Sequence, residues 1–142
     1  MIFQIINQIS REGFTTAIFT QIVGLLIALV FGLTVHEFGH AAMATWLGDS
    51  TPRRQGRLTL APAAHLDPMG SLMFLLAGFG WGKPVQFNPF ALRTSPRQGS
   101  ALVAIAGPAM NIILATLVAF IVRLLPFLFG KSMRTIVLSE GP

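Results

Sequence analysis

The run from Ile22 to Leu47, IVGLLIALVFGLTVHEFGHAAMATWL, limits what this chain can become more than any other feature. It is 26 residues of nearly unbroken apolar character, with two histidines and a glutamate set inside it. As a helix it rises about 39 Å, enough to cross a hydrocarbon core of about 30 Å with some tilt. It therefore reads as a spanning helix over residues 22–47. Gly48, Asp49, Ser50, Thr51 and Pro52 end it, since glycine is free to take a left-handed cap and proline cannot continue a helix.

The rest of the composition agrees. Of 142 residues, 53% are hydrophobic and 11% charged, with a mean hydropathy of +0.68, against about 25% charged in ordinary soluble domains. The expected class is an all-α, multi-pass membrane protein: one membrane-embedded unit over 1–142, with the lipid bilayer as its solvent. There is no cysteine, which excludes a disulfide framework and any thiolate metal site, so a metal would need His, Asp or Glu ligands. The net charge of +5 comes from Lys and Arg scattered between apolar blocks. That is the pattern of membrane flanks, and without a basic stripe interleaved with aromatics no nucleic-acid partner is expected. Oligomeric state is not readable from these features.

Residues Met1 to Thr16 place Ile2, Ile5, Ile6 and Ile9 at helical spacing, a pattern for lying on a membrane surface, and lack the basic start and small-residue cleavage site of a signal peptide. Residues 52–97 form a loop-rich middle with five prolines between Pro52 and Pro89. Within it, Ser71 to Phe79 is apolar but too short to span, which predicts a re-entrant or interfacial piece. Arg57 to Leu60 and Val85 to Phe87 alternate polar with apolar residues and predict short strands, a β-hairpin-like loop. A second span is expected over 99–129, with a kink at Gly107-Pro108 and Arg123 snorkelling to an interface. Arg53, Arg54, Arg57, Lys83, Arg93 and Arg97 put the middle segment on the cytoplasmic side, against a weaker opposing signal from Lys131 and Arg134.

His36-Glu37-Phe38-Gly39-His40 is the pattern His-Glu-x-x-His. Four residues apart, the histidines are offset by only about 40° around a helix, so both imidazoles reach one metal ion. Zn2+ suits them because it takes neutral nitrogen ligands and keeps an open position for water, whose pKa it brings to about 7. Glu37 projects to one side, where it can take a proton from that water and return it to a leaving amine, which is peptide hydrolysis. On a soluble helix the same pattern can be a solvated face. In a spanning helix each ionisable residue costs at least about 2.5 kcal/mol, so three within five positions call for a metal or polar partners. A haem held by two histidines, with His65 joining His36 or His40, is the competing reading, and it leaves Glu37 without a task.

The segments VHEFGHAAMATWLGDSTPRRQGRLTL, AHLDPMGSL, GFGWGKPVQFNP and ALVAIAGPAMN, in that order over about residues 20–120, resemble the short bacterial branch of the site-2 protease family of intramembrane zinc metalloproteases. The resemblance implies a multi-pass protein of the bacterial plasma membrane that cleaves transmembrane segments of other membrane proteins. It implies His36 and His40 as zinc ligands, Glu37 as catalytic glutamate, and Gly107, Pro108 and Asn111 as the family's Gly-Pro-x-x-Asn pattern. It likens Gly70 to Val85 to a re-entrant part that presents substrate by strand addition. The family's third ligand, an aspartate in a Leu-Asp-Gly motif, has no counterpart between Asn111 and the closing Ser139-Glu140-Gly141-Pro142. The expectation is an N-terminal piece of a longer enzyme, the alternative a truncated, inactive relative acting as a binding or scaffold protein.

Asp67 is the in-chain substitute for that ligand, though before Pro68 it also reads as a cap or turn residue. His65 reads as a loop hydrogen-bonding residue, with a metal ligand or a support to His36 and His40 as its alternatives. Asn88, before Pro89, and Asn111, on an apolar helix, are candidate substrate-binding residues whose plainer readings are a turn and an interhelical hydrogen bond. Gly24, Gly32 and Gly39, with Ala28 and Ala42, read as close-packing positions, Trp46 and Trp81 as interfacial anchors, and Arg53, Arg54 and Arg57 as topological or lipid-contacting charges.

Overall fold

The computed structural model describes residues 2–77 and 79–129. The described chain is helical: α1 (Ile2–Glu12), α2 (Thr16–Trp46), α3 (Thr51–Arg54), a 3-10 turn (Pro62–Ala64), α4 (Pro68–Ala77), a second 3-10 turn (Pro89–Ala91) and α5 (Pro96–Phe129). Lys131, Arg134 and the closing Ser139 to Pro142 lie outside the described residues.

Both long helices begin before the apolar runs that announce them, because caps rather than hydropathy set their starts. Thr15 holds an extended backbone and its hydroxyl accepts the Ile18 N–H at 3.4 Å, so α2 begins at Thr16. Ser95 does the same for Gln98 N–H at 3.4 Å, and Pro96 fits the first turn of α5, where its missing N–H costs nothing. At the far end of α2, Gly48 turns the chain with φ +113°. α5 continues through Pro108 and Pro126.

These are two helices long and apolar enough to cross a membrane, with mean hydropathies of 2.4 and 2.2, and only 11% of each apolar window is buried inside the protein. Phe31, Ile105, Ile112 and Phe120 are exposed by 58–67%. Apolar surface of this extent is compatible with a membrane surrounding. α2 and α5 run antiparallel against each other. A Cβ on Gly39 would stand 2.7 Å from the Ala106 carbonyl oxygen and 2.8 Å from Met110 Cγ, so the backbones meet there. Gly24 and Gly32 have nothing within 4 Å and are not packing positions among the described residues. The buried core lies toward the C-terminal end of α2, where Ala44, Leu47, Leu92 and Val103 cluster with Met43 and Phe87.

The middle segment departs from the expectation of strands. Among the described residues there is none, only an isolated bridge between Leu66 and Gly82. The apolar stretch is helix α4, ten residues and about 15 Å long, which agrees with its being too short to span. In both expected strands the first backbone donor, Arg57 or Val85, is taken elsewhere. Arg57 N–H bonds to Pro52 O, and its guanidinium bonds to the Ala64 carbonyl. Lys83, Val85 and Asn88 donate to His65 O, Glu37 Oε2 and Asp49 Oδ2 at 2.7, 3.2 and 2.6 Å. Residues 82–88 thus form an irregular strap tied to His65, to Glu37 of α2 and to Asp49 just beyond the end of α2, with no ladder to join.

Candidate metal centre

His36, Glu37 and His40 follow one another on α2 on the side that faces α5 and the strap. Each offers a possible ligand atom, and the three atoms lie within 4.8 Å of one another. The rings of His36 and His40 stand edge to face with centroids 4.6 Å apart, as one helical turn between them requires. Among the described residues this is the one group of three such side chains.

α5 shapes the site from the opposite side through residues spaced four apart. The Val103 carbonyl lies 2.7 Å from His40 Nδ1. A carbonyl only accepts, so that nitrogen carries the proton and Nε2 keeps its lone pair for a metal. One turn on, Gly107 leaves the room the rings occupy: a Cβ there would stand 2.5 Å from His40 Cε1 and Nε2 and 2.9 Å from His36 Cε1. One further turn on, the Asn111 amide lies 3.4 Å from His36 Nδ1. Two imidazoles and a carboxylate, with one ring's tautomer held by a backbone acceptor, suit a zinc-like ion, although such sites normally use three protein ligands beside water.

Glu37 is 9% exposed and its Oε2 accepts the Val85 N–H. The strap that supplies this donor is gripped at its end by Asp49, only 1% exposed. Asp49 accepts from the Thr51 N–H and hydroxyl at 2.9 and 2.6 Å and from the Asn88 N–H at 2.6 Å. Burial pushes the Asp49 carboxyl up, but these hydrogen bonds and the Arg54 charge outweigh it and hold the group below the usual carboxylate range. Two cavities flank the triplet. One of about 420 Å³ has an apolar lining that includes Leu29, Leu33, Phe74 and Trp81 beside His36 and Asn111. The other, of about 260 Å³, lies among Glu37, His40, Pro84, Val85 and Ser100.

Asp67 does not join the triplet. It precedes Pro68 as the N-cap of α4, its Oδ1 accepting the Gly70 N–H at 2.8 Å. His65 is fully buried with Nε2 on the Thr59 carbonyl at 2.7 Å and does not join His36 and His40. Asn88 caps the second 3-10 turn, its Oδ1 accepting the Phe90 N–H at 3.0 Å. Sequence reading missed the grip of Asp49 and the two backbone groups. A sequence carries no mark for Val103 O or Val85 N–H, but Asp49 left one, an acid two residues before a threonine where a helix has just ended.

The chain is 44% identical over 109 residues to "Putative zinc metalloprotease YwhC" of Bacillus subtilis, a match covering 77% of this chain and 49% of that protein. It is 37% identical over 112 residues to "Putative zinc metalloprotease Rip2" of Mycobacterium tuberculosis, covering 72% and 42%, and 34% identical over 108 residues to the Rip2 of Mycolicibacterium smegmatis, covering 71% and 42%. The chain thus spans about half the length of the curated relatives it matches, or somewhat less. No protein-family model and no solved structure matches it.

Proposed function

We propose that this chain carries the metal-binding core of an intramembrane zinc endopeptidase of the site-2 protease type. It would be a multi-pass protein of the bacterial plasma membrane that cuts transmembrane segments of other membrane proteins. The observation that carries this reading is the convergence of His36, Glu37 and His40 within 4.8 Å on a helix apolar enough to cross a bilayer. The names of the relatives support the metal and the reaction class.

His36 and His40 would hold zinc through their ring nitrogens. The bound ion supplies a Lewis acid and a water acidic enough to ionise near neutral pH. Glu37, steadied at Oε2 by the Val85 N–H, takes the water's proton and passes it to the leaving amine nitrogen. The apolar cavity beside His36 receives hydrophobic residues of the substrate, and the loop from Gly70 to Val85 presents its unwound backbone. The third protein ligand in this reading is an aspartate in the part of the relatives' length that the chain does not span.

The test uses the full-length protein in lipid vesicles with a membrane-spanning reporter peptide. Zinc is expected near one per chain. Glu37→Gln should retain it and lose about 10²- to 10⁴-fold in cleavage, whereas His36→Ala should lose the metal. Zinc-free protein, or cleavage indifferent to Glu37→Gln, refutes the proposal.

A further inference from the structure

We propose that Asn111 is a positioning residue of the metal site, whose amide oxygen takes the proton on His36 Nδ1 and thereby presents the Nε2 lone pair to the metal. The inference rests on the metal reading above, and it assigns to α5 the setting of both ligand tautomers.

The two histidines meet α5 in the same way, one turn apart, but through different chemistry. His40 Nδ1 faces a backbone carbonyl, an acceptor that cannot change its role. His36 Nδ1 faces an amide side chain with Nδ2 at 3.4 Å, while the amide's Oδ1 is buried without a hydrogen-bond partner. With the NH2 group turned to the ring, Nδ1 must be the acceptor, so the neutral ring carries its proton on Nε2 and cannot bind a metal there. A half-turn about χ2 exchanges the two ends of the amide within the same volume. The amide's other end has no partner among the described residues, so the exchange breaks no other hydrogen bond. With oxygen at the ring, Nδ1–H donates, and His36 acquires the tautomer that Val103 imposes on His40.

Among the described residues, Asn111 is the α5 side chain that lies within reach of His36 Nδ1. Val103, Gly107 and Asn111 share one stripe: the first supplies a carbonyl to His40, the second must lack a side chain, and the third reaches His36. At His36 Nδ1 the group that α5 supplies is a side chain, the Asn111 amide. His36 requires an acceptor at 111, and a carboxylate would serve as well as an amide oxygen.

The test uses the full-length protein in detergent micelles, wild type, Asn111→Ala and Asn111→Asp, with two readouts. In metal-free protein, long-range ¹H–¹⁵N correlation of the His36 ring reports the tautomer directly. The wild type and Asn111→Asp should show Nδ1–H, and Asn111→Ala should shift toward Nε2–H. By competition with a chromophoric chelator, Asn111→Ala should bind zinc about 10- to 100-fold more weakly, and Asn111→Asp should stay near wild type or tighter. An Nε2–H ring in the wild type, an unchanged affinity in Asn111→Ala, or an Asn111→Asp as weak as Asn111→Ala overturns the inference. Wild-type protein with the Nδ1–H tautomer but no zinc affinity leaves the Asn111 contact standing and overturns the metal reading instead.

Discussion

Gly107→Ala is the smallest change that tests whether α5 shapes the metal site. The added Cβ would sit 2.5 Å from His40 Cε1 and Nε2 and 2.9 Å from His36 Cε1, where carbon contacts settle at about 3.5–4.0 Å. Relief takes about 1 Å of movement at both rings, or the same separation of the helices. The first breaks the 2.7 Å bond from His40 to Val103, and the second opens the Gly39–Ala106 contact. Overpacking of this kind costs about 1–3 kcal/mol. If all of it falls on metal binding, zinc affinity drops about 5- to 150-fold, at about 1.4 kcal/mol per tenfold. The assay is chelator competition on the full-length protein. Gly24→Ala serves as the control, since that position has nothing within 4 Å, and it should bind zinc as the wild type does. Wild-type affinity in Gly107→Ala would refute the idea that the two rings converge over this glycine.

Three further outcomes follow from individual contacts. Asp67→Ala removes the cap of α4 and should cost about 1 kcal/mol of stability, with zinc content unchanged; loss of zinc would instead make Asp67 a ligand. Asp49→Asn loses hydrogen bonds to a charged acceptor and places an amide against the Asn88 N–H, so thermal stability at neutral pH should fall by about 1.5–3 kcal/mol. Because the folded-state carboxyl lies below its unfolded value of about 3.9, its stabilisation is full above that value. It is lost as pH falls through the folded pKa, and acid titration of Asp49→Asn should lack this component. Val85→Pro deletes the N–H on Glu37 Oε2 and should lower cleavage while leaving zinc bound; unchanged cleavage would show that the strap does not steady the base.

The sequence by itself determined what depends on neighbours a few residues away. Helical periodicity put His36 and His40 one turn apart, length and hydropathy marked two helices fit to cross a bilayer, and Gly48 with Pro52 marked where the first one stops. Alternation over Arg57–Leu60 and Val85–Phe87 misled, because a strand needs a partner and these backbones found side chains and caps instead. Only the tertiary structure decided what holds the site. His40 meets Val103 across 63 residues and His36 meets Asn111 across 75, distances over which no local pattern records a contact. The crossing of α2 and α5 at Gly39 brings the Val103–Gly107–Asn111 stripe under the two rings. The grip of Asp49 on Asn88 lays the strap over Glu37. Both are consequences of how helices pack, and one of the groups they deliver, a carbonyl of α5, is chemically the same at every residue of the chain.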